Sequence, residues 1–113
     1  MVIRNTTKNR IIGHNARLCD DYLSKFIGLM FAKQRRILIF AFNKEKIIYL
    51  HMLFVFYPID VLFLGKNKII VDKKENFKPF TFCNSKKKAM YAVEIPENTI
   101  KKTNTKIGDK IRF

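Results

Sequence analysis

Apolar residues fall along the chain in short runs, broken by polar, lysine-bearing stretches, and most runs have the length of a strand. Residues 2–4 are β-prone, 5–9 are turn-like, and 10–17 can return as a second strand. The chain therefore opens on an expected hairpin, with Gly13 marking a bulge or bend. A helix is predicted over 20–30. Asp20 or Asp21 can cap its first amides, and Tyr22, Phe26, Leu29 and Met30 recur at helical spacing. Gly28 inside that pattern costs about 1 kcal/mol relative to alanine, which marks close packing or a helix end.

After a basic connection at 33–36, residues 37–42 form an apolar run of strand length, and 43–46 (Asn-Lys-Glu-Lys) read as a turn. Residues 47–57 predict a long strand that Pro58 interrupts, and 60–64 continue in β conformation. Residues 65–68 are a turn, and 69–72 begin the partner strand of a hairpin. Phe77, Phe80 and Phe82 surround Pro79 in a less regular stretch, and 84–88 are a basic turn. Residues 89–95 are a strand closed by Pro96-Glu97-Asn98. Residues 99–106 hold at most one helical turn, and Gly108-Asp109 leads into a last strand at 110–113. The expected fold is mainly β: a compact sandwich- or barrel-like arrangement of antiparallel sheets with one α-helix near residues 20–30.

Length and composition agree with one domain over 1–113. The chain has 113 residues, 48% of them hydrophobic, enough to form one core but not two. The longest apolar run, 47–59, contains His51 and Pro58 and is too short to span a bilayer as a helix, which takes about 20 residues. The N-terminus meets charge before any apolar run of signal-peptide length, which places the domain in the cytoplasm as an expectation. Cys19 and Cys83 form no CxxC pair and fit thiols in a reducing compartment. The formal net charge is +14, which attracts polyanions, nucleic acid first and anionic membrane second. Lysine supplies most of it in a chain also rich in Ile and Asn, so a compositional habit explains the charge as well as a partner does.

Four stretches in order carry a family resemblance: Gly28-Leu29-Met30; His51-Met52-Leu53-Phe54-Val55-Phe56-Tyr57-Pro58-Ile59-Asp60-Val61-Leu62-Phe63-Leu64; Tyr91-Ala92-Val93-Glu94-Ile95-Pro96; and Ile107-Gly108-Asp109-Lys110-Ile111. Together they resemble the domain of unknown function 192 family over nearly the whole chain. The resemblance implies a small sandwich-like β domain with one helix, and it implies no established activity. Three positions depart from the family pattern. Lys25 stands where relatives often have Arg, and His51-Met52-Leu53-Phe54, the archaeal-type form, replaces Trp-Met-Lys-Asn. Glu97-Asn98 occupies a turn where glycine is common, and Asn98 can supply the left-handed conformation in its place.

Candidate chemistry is sparse. His51, Asp60 and Glu94 each interrupt an apolar stretch, where an ionisable group is costly unless paired. As a trio they could line a cleft and bind a ligand, or act with His51 as general acid or base. The structural alternative is a hydrogen-bonded core histidine, an aspartate fixing a turn and a glutamate on a solvated face. No two of them sit at a metal-ligand spacing, and no phosphate loop, dinucleotide fingerprint or paired CxxC is present, so no metal, cofactor or catalytic residue is assigned. Phe77-Lys78-Pro79-Phe80-Thr81-Phe82 followed by Lys86, Lys87 and Lys88 comes closest to a nucleic-acid contact, against the alternative that the phenylalanines close the core. The expected function is a non-enzymatic module binding a ligand or a partner. Nucleic-acid association and an enzyme using His51 stand as alternatives.

Overall fold

The computed structural model describes residues 1–21 and 36–113, and among them the chain is mainly β, with ten strands and one short helix. The strands are β1 (Ile3–Asn5), β2 (Arg10–Gly13), β3 (Ala16–Cys19), β4 (Ile37–Lys46) and β5 (Tyr49–His51), then β6 (Ile59–Leu64), β7 (Ile70–Phe77), β8 (Phe82–Asn84), β9 (Ala89–Pro96) and β10 (Ile111–Arg112). The helix α1 spans Thr99–Lys102. The helix expected at 20–30 lies, beyond Asp21, outside the described residues, as do Lys25 and Gly28-Leu29-Met30.

Five strands in the order β3-β4-β9-β6-β7 make the central sheet. Its two faces are both apolar because alternate residues of β4, β6 and β9 point to opposite sides. Leu38, Phe40, Val61, Phe63 and Ala92 pack on one face with Ile48, Met52 and Val55, which belong to the segments flanking β5. Ile39, Leu62, Leu64, Val93 and Ile95 pack on the other with Ile3, Ile12, Ile100 and Ile111. The three-stranded sheet β10-β1-β2 and α1 therefore cover one face, and the two-stranded sheet β5-β8 covers the other. This is the sandwich form of the expected fold rather than a closed barrel.

Four expectations need correction. First, the sheets are not all antiparallel: β3 runs parallel to β4, with Ala16 opposite Ile37 and Cys19 opposite Phe40. A parallel pair needs a long crossover, and the chain between Cys19 and Ile37 is long enough to supply one. Second, residues 43–46 are not a turn. β4 continues to Lys46, which pairs with Ala89 after an irregularity beyond Ala41. Third, the long strand expected at 47–57 ends at His51. The Met52 carbonyl accepts both the Val55 and the Phe80 amides, at 3.2 and 2.8 Å, and Phe54 takes φ 56°. The apolar run thus closes in a turn before Pro58. Fourth, residues 10–17 are two strands, divided at His14 and Asn15.

Gly13 marks a bulge, as its sequence position suggested: Ile3 pairs with Gly13 and Arg4 with Ile11. A Cβ on Gly13 would come within 2.0 Å of the Ile37 Cδ1, so a larger residue there would make the tip of the Ile37 side chain swing aside. Asn98 adopts φ 70° at the start of α1, the left-handed conformation expected of it. In that conformation a non-glycine residue is strained, asparagine less than most. Asn98→Ala should therefore destabilise the fold by about 1 kcal/mol while Asn98→Gly is neutral or better. Urea denaturation of the two variants checks this, and equal loss in both would contradict it.

Candidate functional site

The trio of sequence candidates is not one site. Glu94 on β9 is opposite Leu38 on β4 and Val61 on β6, both on the face under β5-β8, so its side chain lies on that face. Asp60 alternates with Ile59 and Val61 and points to the other face, toward α1. His51 alternates on β5 with Leu50, which packs inward, so the imidazole turns to the outer side of the two-stranded sheet. The expected cleft fails for a simple reason. The sequence shows which positions are polar in an apolar run, but strand parity and register decide which side each one faces.

Each residue has a local role. Asp60 is buried, and its two oxygens accept the backbone amides of Asn76, at 3.1 Å, and Ile100, at 3.0 Å. Asn76 has φ 54° at an irregularity in β7, and Ile100 lies in the first turn of α1. Asn98 makes no side-chain cap, so Asp60 caps this helix from across the sheet. The His51 Nδ1 accepts the Leu53 amide at 3.2 Å and holds the turn after β5.

Glu94 sits among apolar neighbours, and burial pushes its carboxyl up to about 8, so it holds its proton at neutral pH. It is not the solvated glutamate that the structural alternative supposed. Burial also raises both thiols: Cys83 to about 11 against the opposing field of Lys74, and Cys19 against that of Arg17. Neither is an activated nucleophile. Among the described residues no three His, Cys, Asp or Glu side chains gather closely enough to hold a metal ion.

A further buried carboxylate escaped the sequence reading. Asp109 accepts Asn5 Nδ2 at 2.9 Å, Lys8 Nζ at 2.9 Å and the Lys106 amide at 3.0 Å. Burial alone would raise its pKa, but these hydrogen bonds from Asn5, Lys8 and Lys106 outweigh it and hold the carboxyl below its ordinary value. Asn5 and Lys8 lie more than 100 positions away in sequence, so spacing gave no signal. The network clamps β1 to the turn before β10 and is structural.

The outer side of β5-β8 gathers exposed aromatic side chains next to a basic turn. Leu50 and Cys83 face the core as a cross-strand pair, which turns Tyr49, His51 and Phe82 outward. Tyr49 is 78% exposed and Phe82 70%. Beside them Phe80 packs edge-on against Phe56, ring centres 5.5 Å apart, and against Phe54 at 6.1 Å. Phe56 and Phe80 are themselves 64% and 50% exposed. The basic turn that follows β8 is fixed at its root. The buried Ser85 exchanges hydrogen bonds with Ile48, and the Lys86 amide donates to Asp72 at 2.8 Å. Lys86, Lys87 and Lys88 are exposed, and none is in either ion pair found among the described residues, Lys8–Asp109 and Lys73–Glu75.

The profile of the domain of unknown function 192 family, described as an uncharacterized ACR, matches residues 2–113. The chain belongs to that family. Its curated relatives include UPF0127 protein PF1050 of Pyrococcus furiosus, 38% identical over 96% of this chain and 95% of the relative. UPF0127 protein PH1112 of Pyrococcus horikoshii is 32% identical over 99% and 98%. Among solved structures, a protein of unknown function from Novosphingobium aromaticivorans superposes with TM-score 0.87 at 20% identity, over 99% of this chain and 82% of its own. A protein named provisionally as a transcription regulator, from Sinorhizobium meliloti, gives TM-score 0.87 at 22% identity, over 98% and 89%. At these identities the structures share the fold alone. The family is uncharacterised and names no activity for the chain. No helix among the described residues is long and apolar enough to cross a membrane.

The Glu94 carboxyl makes stability depend on pH in a defined direction. The unfolded chain loses this proton near pH 4.5 and the folded chain near 8. Between those values the folded state binds more protons, so its stability is fullest below 4.5, falls as pH rises toward 8, and then levels off. The Glu94→Gln variant should lack this component, and the wild-type-minus-variant stability should drop with a slope of up to about 1.4 kcal/mol per pH unit. Urea denaturation of both proteins at pH 5, 6.5 and 8 reads that slope, and parallel curves would contradict it.

Proposed function

We propose that this chain is a binding module that takes single-stranded nucleic acid on the outer side of β5-β8. The observation that carries the reading is a set of exposed rings, Tyr49 and Phe82 on β5-β8 and the contacting pair Phe56 and Phe80 in the adjoining turns, with a hydrogen-bonded turn after β8 bearing Lys86, Lys87 and Lys88. Exposed aromatic area of this kind is a cost unless something covers it. Bases cover it with flat faces, each stack contributing about 1–3 kcal/mol, while lysines follow the phosphates. The +14 charge complements a polyanion rather than an apolar protein surface. His51, opposite Phe82, adds a further ring to the same side.

The chain thus keeps the binding-module class, with its site on the aromatic face instead of a cleft of His51, Asp60 and Glu94. His51 belongs to that face as a stacking group. Asp60 and Glu94 face opposite sides of the central sheet and His51 the outer side of β5-β8, so the three do not form one acid–base site. The two free thiols are compatible with a reducing compartment and support a cytoplasmic setting for the module.

Fluorescence anisotropy with a twelve-nucleotide oligouridine and with a mixed duplex, across 50–200 mM salt, tests the reading. Single-strand binding should weaken steeply with salt. The Phe80→Ala/Phe82→Ala pair should weaken it by about ten- to a hundredfold and leave the salt slope unchanged. The Lys86→Ala/Lys87→Ala/Lys88→Ala triple should reduce the slope by about 0.7 for each phosphate that the lysines neutralise in the wild type. Absence of binding at low salt, or binding that prefers the duplex and ignores the phenylalanine pair, would overturn it.

A further inference from the structure

A second concave surface lies on the β3–β4 side of the central sheet. Arg17 on β3 is opposite Leu38 on β4, and Leu38 is in turn opposite Glu94 on β9. Ahead of that row, where β4 begins and β9 ends, a pocket of about 540 Å³ is lined by His14, Arg17 and Arg36 together with Ile37, Leu38 and Pro96. That volume is in the range of small-molecule sites. Among the described residues that line it, none is acidic. Among the described residues, His14, Arg17 and Arg36 take part in no hydrogen bond or ion pair through their side chains. Glu94, one strand beyond Leu38, would be the natural neutralising group, but burial keeps it protonated at neutral pH.

Two guanidinium groups gathered on such a wall form an unusual surface. Each is a planar fork whose parallel N–H donors match the paired oxygens of a phosphate or carboxylate, and it keeps its charge at any physiological pH. The imidazole of His14 adds a third donor. The apolar residues in the lining, Ile37, Leu38 and Pro96, give a ligand's carbon skeleton somewhere to leave water. We propose that this pocket binds a small organic oxyanion, its phosphate or carboxylate head held by Arg17 and Arg36 and its apolar body against Ile37, Leu38 and Pro96. The site is separate from the aromatic face. The turns carrying Phe56 and Phe80 adjoin β6 and β7, at the opposite side of the central sheet from β3.

Titration of the ¹⁵N-labelled protein with phenyl phosphate, benzoate, inorganic phosphate and phenol, followed by amide shifts, separates head from body. Phenyl phosphate or benzoate should give saturable shifts concentrated at Arg17 and at Arg36 to Leu38. The tighter of the two identifies the head group. Inorganic phosphate and phenol, each offering half the ligand, should bind at least about tenfold more weakly. Arg17→Ala and Arg36→Ala should each lower affinity about ten- to a hundredfold, the cost of removing a charge-assisted hydrogen bond. Arg17→Lys, which keeps the charge but not the fork, should restore little of it. Oligouridine affinity should change less than about threefold in the same variants, so the two sites fail or stand independently. Shifts that never saturate, or that spread over the lysine turns alike for every anion, would overturn the proposal. So would arginine variants that weaken oligouridine as much as phenyl phosphate, since the pocket would then be one end of the nucleic-acid track.

Discussion

Strand β9 has a neighbour on each edge and an apolar layer on each face, and this double burial governs what the rest of the chain can do. Its backbone is used up in pairing with β4 and β6, and its side chains alternate between two separate cores. A polar side chain set into such a sheet must shed its charge or find fixed donors. Glu94 takes the first course and stays protonated. Asp60, on the neighbouring strand, takes the second and satisfies two backbone amides, those of Asn76 and Ile100. The same rule accounts for Asp109, whose carboxylate is surrounded by donors from Asn5, Lys8 and Lys106.

Chemistry is thereby pushed to the edges of the fold. The interior polar residues are committed to architecture, while the aromatic rings of Tyr49, Phe56, Phe80 and Phe82 and the arginines of the β3–β4 pocket are left facing water. These two surfaces call for opposite kinds of ligand. The proposed nucleic-acid face is broad and would bind by stacking and diffuse charge. The proposed oxyanion pocket is concave and would take a single anionic head on its arginines. A module with both could hold a polymer on one side and respond to a small anion on the other.

Much of the frame was legible in the sequence. The apolar runs of β6 and β9, the turn between β6 and β7, the bulge at Gly13 and the left-handed Asn98 follow from residue type and local spacing. Local pattern failed where tertiary pairing overrode it. The polar residues 43–46 extend β4 because the backbone of Lys46 finds Ala89. The apolar residues 52–57 turn because the Met52 carbonyl gathers two amides. The site was legible in part. Lys86, Lys87 and Lys88 lie in an exposed turn, as their sequence suggested; of the phenylalanines before them, Phe77 closes the core while Phe80 and Phe82 face solvent. His51, Asp60 and Glu94 misled because composition marks a polar residue in a strand without saying which face receives it. The pocket arginines gave no signal at all, because Arg17 and Arg36 meet only through a parallel strand pairing that no short-range pattern encodes.

The central claim is that binding occurs on the outer side of β5-β8 while the buried polar residues only build the frame. Photocrosslinking with an oligonucleotide carrying 5-bromouridine, mapped by mass spectrometry, addresses it directly. Cross-links are expected at Tyr49, Phe56, Phe80 and Phe82. Cross-links confined to the β10-β1-β2 sheet, with none on these rings, would contradict the claim.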